Sequence, residues 1–89
     1  IWLDPEYAFA YGGRGFAYID TGEYRRAIAD FTEAIRLNPN YAQFYHSRGL
    51  AWSFTGDHDR AIVDISEALR IDPSNALYLR SRALSHAAK

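Results

Sequence analysis

Three histidines, one tight acid–base cluster and one glycine-rich run are the places where this sequence could carry chemistry. His46, His58 and His86 are scattered along the chain, and no stretch resembles a helical zinc motif such as H-E-x-x-H. Asp57, His58 and Asp59 adjoin one another. Acids at the start of a helix cap its free amides and favour its dipole, and we assign the cluster that role rather than metal ligation. Gly12, Gly13 and Gly15 are as glycine-rich as a phosphate loop, but no strand precedes them and no Lys–Ser/Thr follows. Cysteine is absent, which excludes disulfides and Cys-ligated zinc. We therefore expect no catalytic residues, no metal, no cofactor and no enzyme activity.

What does recur is a pair of opposite charges. Arg14 and Asp30 return as Arg48 and Asp64, and each pair is expected to join two helices of one unit. Partly buried pairs of this kind orient helices more than they stabilise them. The offset between the copies is 34 residues, from Arg14 to Arg48. At that offset Ala8, Tyr11, Gly15, Ala17, Thr21 and Gly22 meet identical residues, and so do Arg26, Ala27, Ile28, Glu33, Ala34, Arg36 and Pro39. "LDP" at Leu3, "LNP" at Leu37 and "IDP" at Ile71 keep the same register. Arg82 falls one period after Arg48 with no acid of its own unit to meet it, so it is expected to reach a neighbouring unit or solvent.

Composition sets the limits. The 89 residues are 48% hydrophobic and 16% aromatic, which argues for a packed chain and against disorder. A net charge of −1 with both signs interleaved is a poor footing for phosphate neutralisation, so nucleic acid is not an expected partner. No apolar run approaches the ~20 residues a membrane span requires, and membrane insertion is not expected. The chain starts at Ile1 and contains no methionine, so it is expected to be a fragment or a trimmed product. Its compartment is not legible.

The elements that must position these residues are helices. Ala8, Tyr11, Gly15 and Tyr18 follow three- and four-residue steps, as one face of a helix does. Gly22 suits the left-handed turn that ends it. Ala27, Ile28, Phe31, Ala34 and Ile35 form the stripe of a second helix, stopped by Pro39, and Pro73 repeats that stop. Asn40 or Ser74 would cap the helix that follows. Gly15 and Ala27, like Gly49 and Ala61, are expected where the two helices cross, because a larger side chain would force the backbones apart.

A helix–turn–helix unit of this length, with glycine and an aromatic in the first helix, Ala–x(3)–aromatic in the second and a closing proline, resembles the tetratricopeptide repeat. The "Y-x-x-R-G-x-A-Y/W" and "A-I-x-D" spellings are similar to bacterial members. Departures are Ile65 in place of an aromatic at the position of Phe31, and Ala83 where glycine stood. Residues 1–7 read as the tail of a preceding repeat, 8–41 and 42–75 as full units, and 76–89 as the first helix of a third, capping the second. Stacking is needed because one helix pair cannot bury its apolar face alone. Tyr11, Tyr45 and Phe31 are assigned to the packing between helices.

The resemblance implies an all-α, right-handed superhelix whose first helices line a concave groove, and hence protein–protein interaction as the function. The face opposite the packing stripe carries Phe9, Gly12, Gly13, Phe16 and Asp20, then Gln43, His46, Ser47, Leu50 and Phe54, then Leu77, Arg80, Ser81 and Leu84. Of these, Phe9, Phe16, Gln43, His46, Leu50, Phe54, Leu77, Arg80 and Leu84 are the expected contacts for a peptide or protein. An apolar surface of that kind marks a binding site, unless neighbouring units cover some of these residues or they simply pack between repeats. Family members that hold a C-terminal carboxylate use Lys, Arg and Asn in the groove. Gly12, Phe16, Ser47, Leu77 and Ser81 stand at the matching positions here, and Arg80 stands alone, so chaperone-tail binding is not expected. Two alternatives remain open: self-association through the groove or open ends, with Ile1 and Trp2 exposed at one of them, and a targeting domain of a larger enzyme.

Overall fold

A computed structural model describes residues 5–89 as five helices: α1 (Pro5–Asp20), α2 (Tyr24–Leu37), α3 (Ala42–Phe54), α4 (His58–Ile71) and α5 (Ala76–Ala88). The expectations for Ile1, Trp2 and the motif from Leu3 lie outside the described residues. Among the described residues no helix is long and apolar enough to cross a membrane.

The turns inside each unit are closed by glycine. Gly22 and Gly56 have φ of +80° and +90°, a conformation that costs other residues strain. They let Glu23 N–H reach back to Tyr18 C=O at 2.8 Å and Asp57 N–H to Trp52 C=O at 3.0 Å, the wrap that satisfies free carbonyls at a helix end. Asp57 then caps α4 by accepting from Arg60 N–H at 3.1 Å, as the acidic cluster implied. The caps expected at Asn40 and Ser74 lie one residue too early. Tyr41 precedes α3 without a side-chain cap, and the Asn75 side chain caps α5 by accepting from Tyr78 N–H at 3.2 Å.

Each unit is a pair of packed helices, α1 with α2 and α3 with α4, and α5 lies over α3 and α4. Ala8, Ala27, Phe31, Ala34, Phe44 and Ala51 form one buried cluster, and Ile65, Ala68, Leu69 and Tyr78 a second. The crossing points are as tight as the small residues required. A Cβ added at Gly15 would lie 2.9 Å from the Phe31 ring, and one at Gly49 would lie 2.8 Å from Ile65 Cγ1 and 3.1 Å from the Ala61 carbonyl.

Candidate interaction groove

The outward face of the first helices divides into two halves. One half is covered, because every first helix must also pack on the first helix of the next unit. Phe44 of α3 is 2% exposed, and its ring fills the space where a Gly12 side chain would stand. One period on, the Tyr78 ring lies 4.6 Å from that of His46. His46 Nε2 also meets Ser81 Oγ at 2.9 Å, so His46 is 5% exposed, and Ser47 and Ser81 are buried as well. His46, expected as a groove contact, is thus a packing residue between α3 and α5. Burial pushes its pKa below the ordinary 6.5. Sequence reasoning left Phe44 and Tyr78 unassigned. The available signal was a separation of 32 that sets an aromatic against the outward face of the preceding first helix: Phe44 against Gly12, then Tyr78 against His46.

The other half is open and apolar. Leu50, Phe54 and Leu84 border a cleft of about 210 Å³ with Ser53 and Ser85 among its walls. The hydroxyls of Ser53 and Ser85 are hydrogen-bonded to each other at 3.3 Å. Phe54 is 58% exposed and Leu84 64%. Phe54 is steadied by stacking on Tyr24 of α2, with ring centroids 4.8 Å apart. His58 also lines this cleft, with its Nδ1 buried and unpartnered among the described residues.

The remaining candidates sit elsewhere. Phe9 belongs to an aromatic cluster with Tyr41 and Phe44, at centroid distances of 5.1 and 5.7 Å. Gln43 is exposed and accepts from the Tyr41 hydroxyl at 3.0 Å. Phe16 is partly exposed and leans edge-on against Phe31 at 5.2 Å. Leu77 and Arg80 are exposed on the outer turns of α5. Leu50, Phe54 and Leu84 are therefore the candidates drawn around one cavity.

The repeated ion pairs form as expected. Arg14 grips Asp30 through Nε and Nη2 at 2.7 and 2.8 Å, and Arg48 grips Asp64 through the same atoms at 2.8 Å each. The hydrogen bond and charge of Asp30 hold the Arg14 guanidinium above its ordinary range. Arg48 adds a bond to Thr32 of the preceding unit at 3.2 Å, and Arg82 meets Ser66 in the same way at 3.5 Å.

A stack of like helix pairs, with ion pairs inside units and aromatic stacking between them, is the architecture of a helical-repeat interaction scaffold. Residues 8–41 and 42–75 each match a family model of the tetratricopeptide repeat, and the chain belongs to that family, a protein-interaction repeat rather than a catalytic fold. Among solved structures it is similar to the first repeat domain of Spaghetti (RPAP3) bound to the HSP90 peptide SRMEEVD. The TM-score is 0.91 at 21% identity, covering 97% of this chain and 70% of that one. The first repeat domain of human RPAP3 gives 0.92 at 21% identity, covering 96% and 67%. A crystal structure of MamA gives 0.89 at 33% identity over 96% of this chain, which spans only 50% of that protein's chain. Comparison with curated proteins finds no match in sequence.

Proposed function

We propose that this chain is a passive scaffold that binds a peptide or protein segment in the groove of its first helices, with the Leu50–Phe54–Leu84 cleft as the main anchor pocket. The observation that carries this reading is the exposure of Phe54 and Leu84 around a cavity whose Ser53 and Ser85 hydroxyls are hydrogen-bonded to each other. An aliphatic side chain that enters between Leu50, Phe54 and Leu84 stabilises the complex by roughly 1.5–3 kcal/mol before ordering costs. Two or three such anchors give only modest affinity once ordering costs are subtracted. No step of the proposal makes or breaks a covalent bond. The acid-rich SRMEEVD held by the RPAP3 domain is not the ligand we propose, because Gly12, Ser47 and Ser81 are buried here and none of them is basic.

Panning a random peptide library against the chain tests this reading. Selected peptides are expected to share an aliphatic or aromatic anchor, to shift the NMR signals of Leu50, Phe54 and Leu84, and to lose binding to Phe54→Glu and Leu84→Glu variants. Binders that map elsewhere and ignore both substitutions would overturn it.

A further inference from the structure

The junction between the first and second units closes on an aromatic pair that the next junction lacks. Tyr24, at the start of α2, and Phe54, at the end of α3, stack with their planes 19° from parallel. At the offset of 34 their counterparts are His58 and Ala88. His58 keeps a flat ring at the start of α4, but Ala88 has only a methyl group at the end of α5. Both line the Leu50–Phe54–Leu84 cleft, and among the described residues no aromatic ring lies against His58. The cavity therefore stands where the first junction holds a phenylalanine of its own. Its origin is the residue type at position 88, inside α5. In the first junction the residues after Phe54 close a turn, with Thr55 and Gly56 N–H groups bonded back to α3, so the repeat gives the ring's place to the last residue of the helix and not to the turn behind it.

We propose that the cleft takes an aromatic side chain of a peptide, seated face-on against His58 beside Ala88 as Phe54 is seated against Tyr24. The inference rests on the groove reading above and narrows its anchor from apolar to aromatic. The ring that would receive it is already part of the wall: His58 lines the cavity with its Nδ1 buried, so little side-chain freedom is lost when a second ring lies on it. The site is also continuous with an interface the chain has built. Phe54 belongs to both junctions, stacked on Tyr24 in one and bordering the cleft in the other. An incoming ring thus extends an aromatic row that the chain itself begins. A leucine would fill the same space without the ring-on-ring contact, which adds roughly three- to tenfold in affinity beyond the area buried.

The test titrates two peptides, GAFAG and GALAG with both ends capped, into the isotope-labelled chain and follows them by NMR. The phenylalanine peptide is expected to bind about three- to tenfold more tightly than the leucine one. It should also move the His58 ring and Ala88 methyl signals upfield, as protons above an aromatic face move. His58→Ala should remove the preference between the peptides. Ala88→Phe, with folding checked by circular dichroism, should supply the missing ring from the chain itself and exclude both. Equal affinities at the cleft, or a preference for GALAG, would overturn the aromatic assignment and leave the groove reading standing. If neither peptide perturbs Leu50, Phe54 and Leu84, the groove reading fails and this inference falls with it. Cleft signals that move with chain concentration alone would overturn the proposal by assigning the cleft to a second copy.

Discussion

Changing each helical glycine to alanine, one at a time, separates the room available at each position from the common gain in helix propensity. That gain is about 1 kcal/mol in a helix interior. At Gly13 an added Cβ meets nothing within 4 Å, so Gly13→Ala is expected to keep the whole gain and raise the melting temperature by about 4–8 °C. At Gly12 the same atom overlaps the ring of Phe44, which is fully enclosed and cannot swing away. Overpacking a tight core costs about 1–3 kcal/mol, so Gly12→Ala should end up about 1 kcal/mol less stable than the parent. Gly49→Ala falls on the same side, because one of the atoms it approaches is the Ala61 carbonyl, which belongs to the backbone of α4 and moves only with the helix. Gly49→Leu drives further carbons into that contact and should unfold the second unit, since a chain of this size holds only about 0.05–0.15 kcal/mol of stability per residue. Urea titration followed by helical circular dichroism reads all four. If Gly12→Ala and Gly13→Ala move the midpoint in the same direction, or Gly49→Leu melts like the parent, the packing described between and within units is wrong.

Two further perturbations test the polar interior. Asp64→Asn leaves the Arg48 guanidinium, whose side chain is 20% exposed, without its carboxylate, and should cost about 2 kcal/mol in urea denaturation. Asp30→Asn should cost less, because the Arg14 side chain is 58% exposed and water takes over its bonds. His46 gives a pH dependence of defined sign: burial lowers its folded pKa below 6.5, so as the pH falls through that value the unfolded chain takes up a proton that the folded chain refuses. Stability should be full above pH 6.5 and decline below it, and His46→Asn should flatten the urea midpoint between about pH 7.5 and 5.5. Glu33 and Glu67, held below 4.5 by hydrogen bonds from Arg36 and Arg70, come into play only at lower pH. A midpoint that rises as the pH falls from neutrality would refute the burial of the imidazole.

The helices, their glycine turns, the crossing glycines and the Arg–Asp pairs were legible in the sequence because each is settled inside one unit and written twice at an offset of 34. A contact that recurs at the same offset in both partners announces itself. The burial of Gly12, His46 and Ser81 was not legible, because it arises between units. On a helical wheel these residues lie opposite the stripe facing their own second helix, and without the neighbouring unit that position looks like solvent. What covers them is Phe44 or Tyr78, whose counterpart in the first unit is Ala10, so the covering residue does not repeat as a type. The α3 and α5 caps were misplaced for a smaller reason. Asn40, Ser74 and Asn75 are all acceptable capping residues, and only the path of the chain decides which one reaches the free amides.

The three arginines show how the repeats depend on one another. Arg48 has both of its attachments, to Asp64 in its own unit and to Thr32 in the preceding one, and its side chain is only 20% exposed. Arg14 has its aspartate without an attachment from a preceding unit among the described residues, and it is 58% exposed. Arg82 has the serine of the preceding unit and, among the described residues, no aspartate. Each interface thus contributes one half of every arginine's environment, which is the physical content of a nearest-neighbour repeat.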